Sequence, residues 1–173
     1  DGGVYLPKEM KDGKWSYQGS SAGYNLVLKH KPFLLPWVRK VVEEAQKRHK
    51  TLVAFSHYPL VDFNDGVSEH VRRIWGDRRF DLHRVPEAEV SEAFLQAGLR
   101  LHFAGHMHVN DTGIWEGKDG KHLYNIQVPS IAIYVPAYKI LTIESDEVFR
   151  VETVALDTVP GFDSLFPLYR AEY

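Results

Sequence analysis

Nine histidines occur in this 173-residue sequence, and three of them stand where ligand chemistry is expected. His57, His106 and His108 each come just past an apolar run. Neutral imidazole is the commonest protein ligand for zinc, iron, nickel and manganese-type centres. His106 and His108 are two residues apart. In a regular strand they would share a face, whereas in a loop opened by Gly105 they can diverge toward two different metal ions. Gly105 suits a place where backbone must approach a crowded site. A lone histidine at a strand end is more often a hydrogen-bonded structural group. Two exits built alike, each preceded by a helix and an apolar strand, favour ligation.

The elements that must position these residues can be read from periodicity. Pro36 falls where a first helical turn tolerates it. Trp37, Val38, Val41, Val42 and Ala45 then recur at helical spacing, with Glu43, Glu44, Lys47 and Arg48 opposite. The run Thr51-Leu52-Val53-Ala54-Phe55 predicts a strand buried on both faces that stops at Ser56-His57-Tyr58-Pro59. The pattern then repeats. Pro86 opens a helix carrying Val90, Ala93, Phe94 and Ala97, Gly98 closes it, and 99–104 predicts the strand that delivers Gly105-His106-Met107-His108. Beyond Asn110, strands are expected near 112–116, 121–128, 138–144 and 147–156, with turns at Gly117-Lys118-Asp119-Gly120 and Ser145-Asp146. Residues 1–32 read as a lead-in, a loop entering a weak strand around Tyr24-Asn25-Leu26-Val27-Leu28, and 157–173 as a tail over the surface. One domain over 1–173 follows from the length.

Residues 61–85 form a long insertion between the two helix–strand units, and connections of that length are commonly functional. The segment holds Arg72, Arg73, Arg78, Arg79 and Arg84 with Trp75 and Phe80, a set able to meet a phosphate. His70, Arg72 and Arg73 are the candidate substrate contacts, with His83 a further histidine in reach. The competing reading is a short solvated helix over 69–75 with its aromatics tucked under the loop. His102 lies inside the second strand, beneath the site or bonded to backbone.

Composition narrows the classes. Hydrophobic residues at 44% and charged residues at 25% are ordinary for a globular chain, and a net charge of −2 gives no general attraction to nucleic acid or an anionic membrane. No apolar run approaches the roughly 20 residues needed to cross a bilayer. With no cysteine there is neither a disulfide nor a thiolate metal site. The opening Asp1-Gly2-Gly3 lacks Met and a basic leader and reads as a trimmed start, which leaves the compartment open.

Ser56-His57-Tyr58-Pro59-Leu60 and Ala104-Gly105-His106-Met107-His108-Val109-Asn110-Asp111 resemble the last two sequence blocks of the calcineurin-like metallophosphoesterase family. Val128-Pro129-Ser130 and Ala137-Tyr138-Lys139-Ile140-Leu141 are similar to the strands that follow them, so the likeness runs from about Phe33 to about Ile143. The resemblance implies an α/β fold, the C-terminal half of a four-layered α/β/β/α sandwich with a mixed sheet and helices on one face. It also implies two divalent metal ions (Mn, Fe, Zn or Ni) bridged by an aspartate and a hydroxide, with His57 and His106 on one ion and His108 on the other. Such a pair, about 3.5–4 Å apart, acidifies water and stabilises in-line displacement at a phosphate mono- or diester.

The family's first three blocks, Asp-x-His, Gly-Asp-x-x-Asp and Gly-Asn-His-Asp/Glu, do not occur upstream of His57. Asp81-Leu82-His83 and Gly76-Asp77 spell parts of them, but inside the insertion and after no buried strand, so they read as coincidences. Three neutral imidazoles do not screen the repulsion of two divalent ions. The expectation is therefore the C-terminal portion of a phosphoesterase domain, inactive alone, whose partner is the N-terminal half of the same domain. A second copy covering the exposed sheet as a homodimer is the other expected partner. Two alternatives remain at this point, a mononuclear three-histidine zinc enzyme and a non-catalytic interaction module.

Overall fold

The two apolar runs that end in histidines do lie side by side as parallel strands. The structure, a computed structural model, describes all residues except 1, 2, 18–20, 65, 78, 134, 146, 147, 166, 168–170, 172 and 173. Arg78 of the arginine cluster and Asp146 of the expected turn therefore lie outside the described residues. The chain divides into two compact units, Asp1–Val128 and Pro129–Tyr173.

In the first unit a four-stranded mixed sheet carries β3 (Ala54–Ser56), β4 (Leu101–Ala104), β6 (His122–Gln127) and β5 (Thr112–Glu116), in that order across the sheet. β3, β4 and β6 are parallel, with Ser56 opposite Ala104 and Ala104 opposite Gln127, and β5 returns antiparallel to β6. Parallel neighbours need helical crossovers. Helix α2 (Leu34–Lys47) precedes β3, and α4 (Ala88–Gln96) lies between β3 and β4. Helices and a mixed sheet make this an α/β fold. A short hairpin of β1 (Pro7–Glu9) and β2 (Trp15–Tyr17) stands before them.

The core is built from the apolar stripes of these helices and the covered face of the sheet. Val38 and Val42 of α2, Val90, Phe94 and Leu95 of α4, and Leu123 of β6 are all buried, with Tyr24, Val27 and Leu60. Tyr24 meets Phe94 edge-to-face, with ring centroids 5.3 Å apart, the arrangement aromatic quadrupoles favour. α4 ends at Gly98 as its position suggests: φ is +98°, and the amides of Gly98 and Leu99 bond back to the carbonyls of Leu95 and Phe94, a glycine-closed helix end. α2 closes the same way with His49 at φ +52° in the glycine's place.

Three expectations need correction. The weak strand around Tyr24 to Leu28 is a 3-10 turn, Gly23–Leu26, running into a short helix α1, Val27–His30. The two buried residues there, Tyr24 and Val27, are three apart and so follow a helical rather than a two-residue period. β3 is three residues long and forms the edge of the sheet, with Phe55 71% exposed, so it is not buried on both faces. Trp37, expected on the covered face of α2, is exposed.

The insertion contains α3 (Ser68–Trp75) and a 3-10 stretch, Arg79–Arg84. A small core of its own, Phe63, Leu82 and Val85 with Val71 and Met107 against it, packs beside the histidine loop. In the second unit β7 (Ala137–Ile143) and β8 (Phe149–Ala155) form an antiparallel hairpin, Ala137 opposite Ala155 and Ile143 opposite Phe149. The described tail residues carry one 3-10 turn, Phe162–Leu165.

Candidate metal centre

Both histidine loops leave the sheet at the C-terminal ends of adjacent parallel strands, where open α/β sheets place their ligands. His57 Nε2 and His106 Nδ1 lie 2.8 Å apart, with the two rings crossed at 68° and centroids 4.6 Å apart. The ring of Tyr58 packs against both, at 4.9 Å from His57 and 4.7 Å from His106. His57 is exposed at the rim, while the His106 side chain is only 19% exposed. His108 is exposed and hydrogen-bonds neither partner among the described residues, although its charge acts on His106.

The backbone here is unusual. Five described residues other than glycine have positive φ: His49, Phe80, Asp81, His106 (φ +64°) and His108 (φ +58°). His49 is accounted for as a helix end. The other four all belong to the histidine loop and to the stretch of insertion facing it. Left-handed backbone at a residue bearing a Cβ is costly and gathers at functional sites. Gly105, by contrast, shows no positive φ, and a Cβ there would meet only the His57 carbonyl at an ordinary 3.9 Å. The close backbone approach expected at Gly105 is not seen there, and the left-handed backbone sits on the two histidines.

Three buried polar side chains hold the two loops in place. His102 is 1% exposed and joins the strands behind the site: Nδ1 donates to Asn125 Oδ1 at 2.7 Å, and Nε2 faces Ser56 Oγ at 2.8 Å. Asn125 Oδ1 also accepts from the Leu60 amide at 2.9 Å, which ties the chain just after His57 to β6. Gln127, with its amide nitrogen turned toward the second loop, donates to the carbonyls of Ala104 at 2.9 Å and Gly105 at 3.2 Å. Burial without a charged partner pushes the His102 imidazole down to about 4, the hydrogen bond to Asn125 opposing only part of the shift. His106 is likewise pushed down to about 4, first by burial and then by the charges of Arg84 and His57, with Asp81 acting the other way. Both rings are neutral near pH 7, the form in which imidazole binds a metal.

The donor set fits a divalent cation in part. Two nitrogens on one ion at about 2.0–2.1 Å stand about 2.8–3.0 Å apart in cis positions and about 3.3–3.4 Å apart in tetrahedral ones. The observed 2.8 Å equals the cis separation and asks for a small opening at a tetrahedral ion. Among the described residues, however, no three His, Cys, Asp or Glu side chains come close enough together to cage an ion. His57 and His106 therefore form a two-donor arm, with His108 on the adjoining loop.

The insertion contributes differently from the expectation. His70 and Arg73 are exposed on α3. Arg72 is held by Glu69 at 2.7 Å, by Asp77 at 2.9 Å and by the Leu82 carbonyl at 3.2 Å, so its guanidinium is engaged within the insertion. Among the described residues the arginine that reaches the histidines is Arg84, whose side chain is 11% exposed. It lies 5.8 Å from the Tyr58 ring centroid, donates from Nε to the Ser21 carbonyl at 3.1 Å and pairs with Asp81 at 2.5 Å. Asp81 in turn presents its other oxygen to His106 Nε2 at 4.0 Å. The Asp-x-His spelling at 81–83 is not a strand-end motif, yet it brings a carboxylate to the site. The first unit also carries clefts that the three histidines do not line. One is formed by Val61, Asp62, Ser91 and Thr112–Trp115, and an apolar one runs along β3 and α2 past Trp37 and Phe55.

No family model matches the chain. The human protein serine/threonine-protein phosphatase CPPED1 (Homo sapiens) is 27% identical over 84 residues, 48% of this chain and 24% of that protein. The match thus spans about a quarter of that relative's length. It is a weak similarity to a phosphatase and carries no residue roles of its own.

Proposed function

We propose that this chain supplies the histidine arm of a divalent-metal centre that hydrolyses phosphate esters, in the manner of the calcineurin-like phosphoesterases that its two histidine blocks resemble. The observation that carries the reading is the convergence of His57 Nε2 and His106 Nδ1 to 2.8 Å at the ends of adjacent parallel strands. Two neutral imidazoles held this close repel unless a proton or a cation lies between their lone pairs. The partial likeness to a phosphatase supports the same class.

In this reading His57 and His106 bind one ion and His108 reaches a second. Bound divalent ions supply an acidified water and charge neutralisation at phosphorus. The protein's own part is to hold both loops through His102, Asn125 and Gln127 and to keep the His106 imidazole neutral. The carboxylate ligands that two ions require come from polypeptide beyond these 173 residues. The whole centre would act on phosphate mono- or diesters.

Calorimetric titration of the chain with Mn²⁺ and Zn²⁺ tests the ligand set. Binding of about one ion, lost in His57→Ala and His106→Ala, is the expected result. A chain whose metal uptake ignores both substitutions would overturn the assignment. Assay of a generic phosphodiester with added manganese tests the incompleteness, with negligible turnover expected. Robust turnover by the 173 residues alone would show that no outside ligand is needed.

A further inference from the structure

A continuous chain of contacts runs from the insertion into the candidate centre. The Ser21 carbonyl receives Arg84 Nε, Arg84 Nη1 holds Asp81 Oδ1, Asp81 Oδ2 faces His106 Nε2, and His106 Nδ1 faces His57 Nε2. His106 Nε2 is buried and hydrogen-bonds to nothing among the described residues. A carboxylate oxygen stands 4.0 Å from it, so roughly 1 Å of closure makes a hydrogen bond. Asp81 is carried there on left-handed backbone, Phe80 at φ +51° and Asp81 at φ +56°. Such a conformation persists only where surrounding packing imposes it, and the buried Leu82 beside it supplies that anchor.

We propose that Asp81, clamped by Arg84, is a positioning residue for the metal centre. It accepts the Nε2 proton of His106 and so commits the Nδ1 lone pair to the cation shared with His57. A neutral imidazole has one N–H and one lone pair, and the hydrogen bond made by one nitrogen decides which the other presents. Carboxylates behind metal-bound histidines fix both tautomer and ring orientation in this way. Arg84 keeps the carboxylate aimed without occupying its second oxygen. The insertion, which the sequence marks only as a long basic connection, thereby becomes part of the centre's support. The inference rests on the metal-binding reading above, but its first readout does not need a metal.

The test is nitrogen-15 NMR of the imidazoles in the metal-free protein at neutral pH, on the wild type, Asp81→Gly and Asp81→Asn. Glycine accepts φ +56° without cost, so D81G removes the carboxylate and keeps the loop. Wild type is expected to hold His106 with the proton on Nε2. D81G is expected to lose that preference, and D81N to retain much of it, because an amide oxygen still accepts. Manganese or zinc affinity should then fall about 10- to 100-fold in D81G and less in D81N. The proposal is overturned if wild type carries the proton on Nδ1, or if D81G matches wild type in tautomer or in affinity. Should the wild type bind neither metal, the proposed function fails by itself. The tautomer comparison would still report whether Asp81 sets the ring.

Discussion

His102 shows how far a single buried ring can govern the site above it. In the unfolded chain it titrates near 6.5, and in the fold it is pushed down to about 4. Between these values the unfolded chain binds the proton and the folded one does not, so stability falls as pH falls through that window. It is fully present above 6.5 and exhausted below about 4. The shift corresponds to about 3 kcal/mol, and His106 acts in the same direction. Urea unfolding at pH 7 and pH 4.5 should show a clear loss of stability on acidification. His102→Met should flatten part of that slope while lowering stability at pH 7, because Asn125 Oδ1 and Ser56 Oγ each lose a partner. An unchanged acid slope in the variant would mean that another group carries it.

At the level of elements, what was legible in the sequence followed burial periodicity. α4 with its Gly98 stop, β5, β6 and the hairpin strands fall within a residue or two of their expected bounds, because each pairs a clear period with a turn or cap. The Tyr24 segment misled because a two-residue and a three-residue period look alike over five positions. The length of β3 was hidden because an apolar run does not reveal that its outer side lacks a neighbouring strand. Of the site, the histidine triplet was visible, since its residue types are rare at strand ends. The supports were less so: Leu123, Asn125 and Gln127 are two apart and all fully buried, and two amides on the inner face of an apolar strand were the available signal. Asp81 was met only as part of a spelling read as coincidence, as its approach depends on a left-handed turn that no local pattern announces. Close packing between β5 and the start of the insertion offers an independent check. A Cβ at Gly113 would stand 2.4 Å from the Asp62 carbonyl, and Asp62 Oδ1 in turn accepts from Asn64 N and Ser68 Oγ. Gly113→Ala should cost about 1–3 kcal/mol and loosen the insertion, seen as a lower melting temperature and faster amide exchange over 62–68. Wild-type behaviour would show that the two segments part easily.

For the molecule as a whole, the edge strand β3 and the apolar residues near it set the solution behaviour. Phe55 and Trp37 are each more than half exposed, and an unpaired strand edge is a template for further pairing. The chain alone should self-associate with rising concentration in light scattering, and Phe55→Lys should reduce this without changing the metal uptake proposed above. A monodisperse monomer at high concentration would remove that surface from consideration. A different consequence follows from the left-handed backbone of His106 and His108. Glycine, or the tolerant asparagine, would sit at φ +58° with less strain than histidine. His108→Gly should therefore raise the melting temperature, by an amount set by a local strain of about 1–3 kcal/mol. If this chain were placed in a library screened only for endurance to heat, the winners would discard the histidine. The fold would be rewarded for forgetting the chemistry proposed for it, and position 108 is where the forgetting would begin.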